Sequence, residues 1–67
     1  MRLLEYNYGD ARIFSERTFG YKRYFVEWKD GRTQMYSGLW YKLDKVKQLV
    51  EKQLSLKKHS YLMSMEH

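Results

Sequence analysis

Residues 24–31, Tyr-Phe-Val-Glu-Trp-Lys-Asp-Gly, decide the fold. Aromatic and β-branched side chains fill the early positions, as a half-buried pleated surface favours, and Asp-Gly is a strong short-range hairpin signal. Tyr24 to Lys29 is therefore expected as a strand, with Asp30 and Gly31 as the φ > 0 residues of a two-residue type I′ turn and Arg32 to Ser37 as the return strand. In that register Trp28 opposes Thr33, Val26 opposes Met35 and Tyr24 opposes Ser37 on one side, while Phe25 meets Tyr36 on the other. Both faces of the hairpin carry rings. A sheet backed by one helix needs only one apolar face, so the set that the core does not use is left for a partner, unless the sheet curls enough to bury both.

Upstream, Leu4, Tyr6 and Tyr8 alternate with Glu5 and Asn7, Gly9 and Asp10 mark a bend, and Arg12 to Thr18 alternates again. Two short strands or one bent strand fit this pattern. Phe19, Gly20 and Tyr21 lead into the hairpin. Past Gly38 the period changes: Leu43, Val46, Leu49, Val50 and Leu54 fall at helical spacing, Asp44 suits an N-cap, and lysines occupy the other faces. The expected fold is α+β: a small curled antiparallel sheet of three or four strands, packed against one C-terminal helix from Asp44 to about Lys58. Residues 1–58 form the domain, and residues 59–67 form a flexible tail or a helix extension that offers a homodimer contact. Glu66 and His67 are compatible with a vector-derived ending.

At 67 residues only one domain fits, and its core must be lean. No cysteine supplies a disulfide, and His59 and His67 have no cysteine partners for a zinc site, so burial of aromatic rings or self-association must compensate. Absence of cysteine and of any long apolar run or leader-like segment points to an intracellular protein, cytoplasmic or nuclear, with no membrane partner. The net charge of +5 is unevenly placed. Three arginines balance three acids up to Gly20, whereas ten Lys/Arg face four Asp/Glu from Tyr21 to Lys58. Such a surplus attracts polyanions, with nucleic acid first and an acidic protein surface second, although a lysine-rich helix face also serves plain solubility.

Catalysis is the least supported class. The acids fall in turns, caps or strands opposite lysines, His59 lies in a solvated lysine-rich segment, and the four glycines are scattered singly rather than forming a phosphate loop. No metal or cofactor is expected. A nucleic-acid-binding or chromatin-associated module is the leading expectation, because Lys22, Arg23, Lys29 and Arg32 surround a hairpin that displays Trp28, Phe25 and Tyr36. Trp28, Tyr8, Tyr24 and Tyr36 are the candidate aromatic surface, and Lys22, Arg23, Lys29, Arg32, Lys45 and Lys52 the candidate positive one. Four phosphate contacts would give a log–log salt slope of about −3.6 on duplex DNA or about −2.8 on single strands. The other expectation is a protein-interaction module, such as a phage- or mobile-element-encoded inhibitor or adaptor that masks a host surface, since Tyr, Trp and Arg are common interface anchors.

Tyr8, the apolar pair Ile13 and Phe14, and the strand Tyr24-Phe25-Val26-Glu27-Trp28-Lys29 together resemble the opening half of a chromodomain, with the hairpin return and the helix following the same layout. The resemblance implies a small SH3-like sheet with a C-terminal helix, an architecture also found in basic archaeal chromatin proteins. It also implies that Tyr8 and Trp28 stand where two rings of a methyl-lysine cage would be. The third ring has no counterpart, because Asp30 and Gly31 occupy its place.

Overall fold

The computed structural model describes the backbone of residues 2–65 and the side chains of residues 2–56. Four strands, β1 (Leu3–Asn7), β2 (Ala11–Thr18), β3 (Tyr21–Trp28) and β4 (Thr33–Ser37), precede one helix, α1 (Leu43–Met65). The strands form an open antiparallel meander in the order β1-β2-β3-β4. The chain is thus an α+β protein with a helix on one face of its sheet. The packing of the helix beyond Leu56, and with it the expected dimer contact, falls outside the described side chains.

Two turns set the register, and the type I′ turn lies at Phe19 and Gly20, not at Asp30 and Gly31 as expected. Between β2 and β3, Thr18 pairs with Tyr21 across Phe19 and Gly20, whose φ angles are 37° and 87°. Two consecutive positive φ values make this the type I′ turn. After β3, the Trp28 N–H donates to the Arg32 carbonyl at 2.8 Å and the Gly31 N–H to the Trp28 carbonyl at 2.9 Å, and only Gly31 has a positive φ (98°). Asp-Gly therefore belongs to a three-residue connection, a type I turn closed by a left-handed glycine in a bulge. The Asp30 carboxylate fixes it by accepting the Arg32 N–H at 3.0 Å and Arg32 Nε at 2.9 Å.

One extra turn residue changes every pairing. Tyr24 stands opposite Tyr36, Phe25 opposite Met35 and Val26 opposite Gln34, not Ser37, Tyr36 and Met35 as a two-residue turn would give. Because side chains alternate with period two, this slip moves Tyr36 to the helix side and Met35 to the other.

The helix-covered face holds the core: Ala11, Ile13, Tyr24, Val26 and Trp28 from the sheet, with Val46 and Val50 from α1. Tyr8, Tyr36, Tyr41, Leu43 and Leu54 pack around it. Leu43, Val46, Val50 and Leu54 recur every three or four residues, which lays one stripe of the helix along β2 and β3. The Val46 N–H donates to the Lys42 carbonyl at 3.0 Å, so Lys42 precedes the first turn and Asp44 lies within it instead of capping it. There its carboxylate still favours the positive end of the helix dipole.

Polar groups under the helix are paired. Gln34 Oε1 accepts from Trp28 Nε1 at 3.2 Å, Gln53 Nε2 at 3.3 Å and the Tyr36 hydroxyl at 3.3 Å, and Gln34 Nε2 donates back to Gln53 Oε1 at 3.2 Å. This network joins β4 to α1. Gln34→Ala leaves three donors without their shared acceptor and is expected to lower stability by about 1–3 kcal/mol, measurable as a fall in the urea midpoint. An unchanged midpoint would show that water replaces the amide without loss. A second network sits at β1, where an irregularity between Leu4 and Tyr6 turns Glu5 toward the helix side. Glu5 there accepts from the buried Ser15 hydroxyl and pairs with Lys22 at 3.6 Å.

Candidate functional site

The face away from the helix is built by the same alternation that builds the core. Leu4 pairs with Phe14, Phe14 with Phe25, and Phe25 with Met35, so four apolar side chains form one row across all four strands. At the usual strand spacing that row is about 14 Å long. Leu4 and Met35 are more than half exposed, and Phe14 and Phe25 are half-buried by their neighbours. Asn7, Arg12, Glu27 and Thr33 flank the row toward the Asp30 turn, and Glu16, Arg23 and Ser37 flank it toward the Phe19 turn.

Both rings lie beneath cations. The Arg2 guanidinium stands 4.0 Å from the Phe25 ring centroid, and that of Arg12 stands 5.7 Å from Phe14. Glu27 holds the two arginines in place, at 3.4 Å from Arg2 and 3.6 Å from Arg12. These are partly exposed pairs, each worth under about 1 kcal/mol, so another anion can displace Glu27 at small cost. Arg2, Phe25, Glu27, Thr33, Gln34 and Met35 line a shallow groove of about 310 Å³ on this face. The face therefore offers ring surface, exposed apolar edges and exchangeable cations within one strip.

Most residues expected to form the binding surface lie elsewhere. Trp28 and Tyr24 are each only 5% exposed and belong to the core, which corrects their expected place on the surface. Tyr36 is half-buried beside Tyr41, with ring centroids 5.1 Å apart. Tyr8 sits under the helix against Tyr6 at 4.5 Å, and its hydroxyl donates to Glu51 at 2.7 Å. Burial first and the Glu51 carboxylate second hold the Tyr8 phenol above its usual pKa, so it stays a donor to that carboxylate. With Trp28 sealed and Arg32 lying 5.1 Å from its ring centroid, Tyr8 and Trp28 do not frame an open cage.

The cations scatter as well. Lys22 is tied to Glu5 on the helix side, and Arg32 to Asp30. Lys29 is exposed at the Asp30 turn, Lys52 is exposed on α1, and Lys45 lies 6.0 Å from the Trp40 ring centroid. Of the ten expected residues, Arg23 alone falls on the open face. The residues missed there are Arg2, Leu4, Arg12, Phe14 and Met35; Phe25, expected among the rings that the hairpin displays, does lie on the open face. Alternation within β2 and β3 sets Phe14 and Phe25 on the side opposite Ile13, Val26 and Trp28, whereas the side taken by Met35 depends on the length of one turn.

Among the described residues no cluster of three or more His, Cys, Asp or Glu is placed to hold a metal ion, and no helix is long and apolar enough to cross a membrane. No protein-family model, curated protein or solved structure matches the chain, and the site stands on its own geometry.

Proposed function

We propose that this chain is a small non-catalytic module that binds single-stranded nucleic acid on the open face of its sheet. The observation that supports it is the Phe14–Phe25 pair, set across two central strands on the uncovered face with arginine guanidiniums beside both rings. Unpaired bases stack on aromatic side chains and guanidinium planes, whereas a duplex keeps its base faces hidden. Arg2 and Arg12 exchange Glu27 for phosphates as the strand arrives, and Arg23 extends the track toward the Phe19 turn. Three phosphate contacts on a single strand give a log–log salt slope of about −2. Fluorescence anisotropy with a labelled single-stranded oligonucleotide at several salt concentrations measures it. A slope near zero, or a preference for duplex, would contradict the reading.

The near balance of charge on the same face favours a second reading. Arg2, Arg12 and Arg23 are offset there by Glu16 and Glu27, and a strip of modest charge around an apolar row also suits a protein partner. A protein partner captured from lysate on this face, and retained after nuclease treatment, would decide for it. Loss of all captured partners on that treatment decides for nucleic acid.

A further inference from the structure

A separate apolar surface lies at one pole of the molecule, away from the ring row. Phe19 at the β2–β3 turn is 99% exposed, and Leu39 and Trp40, in the connection from β4 to α1, are 79% and 75% exposed. Topology brings them to the same end. Thr18–Tyr21 is the last pair before the Phe19 turn, and β4 ends beside it with Ser37 opposite Arg23. Tyr21, Lys22, Leu39, Tyr41 and Lys42 line one groove of about 200 Å³ there.

Folding does not explain Phe19. A type I′ turn asks for Asn, Asp or Gly at its first central position, and a bulky residue at φ 37° is strained. Strain held by an aromatic side chain that touches almost nothing points outward, to something it meets. Around the pole, apart from the open-face pair Arg23 and Glu16, stand Arg17, Lys22, Lys42 and Lys45, against the acids Glu5 and Asp44. The apolar groups come from two separate loops, the β2–β3 turn and the connection from β4 to α1.

We propose that this pole is a membrane-contact tip, which inserts Phe19, Leu39 and Trp40 into the headgroup boundary of an anionic bilayer while the surrounding lysines and arginines meet lipid phosphates. Exposed Phe, Leu and Trp side chains need no complementary pocket at such a boundary, and Trp prefers it. Long basic side chains can keep their charge at the headgroups while their stems lie against the acyl chains, and a surplus of them matches an anionic leaflet. The inference does not depend on the nucleic-acid reading, because it uses a different surface.

The two tryptophans make the test clean, since Trp28 is buried and Trp40 is exposed. On phosphatidylcholine vesicles containing phosphatidylserine, the chain is expected to float with the lipid. Its emission should shift to the blue and be quenched by brominated lipid, and Trp40→Ala should abolish both signals. Phosphatidylcholine alone should bind far less. Phe19→Asn is expected to weaken partitioning by roughly tenfold or more, from the loss of one buried ring, without lowering the thermal midpoint. Phe25→Ala, on the open face, should float as the native chain does, so failure of the tip and failure of the nucleic-acid face can be told apart. The proposal is overturned if flotation does not depend on phosphatidylserine, if Phe19→Asn binds vesicles as well as the native chain, or if Phe25→Ala is the variant that loses binding.

Discussion

Trp28→Ala is expected to unfold this protein, and not merely to weaken its interactions. The Trp28 side chain closes one end of the core beside Ala11, and its Nε1–H donates to Gln34, which ties β4 to the helix. Truncating a buried tryptophan costs about 3–5 kcal/mol through lost burial and the cavity that remains. A single core in a domain of this size rarely supplies more than about 3–5 kcal/mol in all. Thermal unfolding followed by circular dichroism should therefore show no cooperative transition in the variant at ambient temperature. A folded Trp28→Ala protein would mean that the ring lies on the surface, and the assignment of the two faces would be reversed.

Phe14→Ala and Phe25→Ala should have the opposite profile. Both rings are half-buried on the uncovered face, so each loss costs far less stability than that of Trp28. Base stacking on one aromatic side chain is worth about 1–3 kcal/mol, so each variant should bind a single-stranded oligonucleotide roughly 5- to 150-fold more weakly. Because the two rings are cross-strand partners, the double variant is not expected to show the sum of the two effects. Conservative Phe25→Tyr should keep most of the affinity, since the ring face remains. Anisotropy titrations at fixed salt, run beside urea melts, separate loss of binding from loss of fold. Unchanged affinity in both single variants would remove the rings from the site.

The elements were legible in the sequence because each announces itself locally. Tyr24 to Trp28 concentrates strand-forming residues, Arg12 to Thr18 alternates, and Leu43, Val46, Val50 and Leu54 repeat at a helical period. The pairing of those elements was less legible. Asp-Gly serves both a type I′ turn and a type I turn with a bulged glycine, and the two differ by a single residue of register. That residue decides whether Tyr36 or Met35 joins Trp28, Val26 and Tyr24 on the core side. The true type I′ turn is not legible in the sequence because Phe19 is a side chain that the left-handed region disfavours.

Of the aromatic and apolar residues, the slip moves only Tyr36 and Met35; that Trp28 and Tyr24 face inward follows from which side of β3 the helix covers, which no local pattern announces. The expectation that a helix covers only one of two ring-bearing faces agrees with the structure, but the sheet turns Trp28 and Tyr24 inward and Phe14 and Phe25 outward. Arg2 could not be read locally at all, because it meets Phe25 and Glu27 across more than twenty residues of chain. Glu5 was equally hidden, since only the irregularity in β1 carries it to Ser15 and Lys22.

A titration of isotope-labelled protein with a single-stranded oligonucleotide, followed by backbone amide and aromatic NMR signals, tests the central claim most directly. The expected result is a band of shifts across β1 to β4 that follows Leu4, Phe14, Phe25 and Met35, includes the side chains of Arg2 and Arg12, and leaves the outer face of α1 at Lys52 unchanged. Shifts gathered on the helix lysines, or none on the Phe14 and Phe25 rings at saturation, would contradict it.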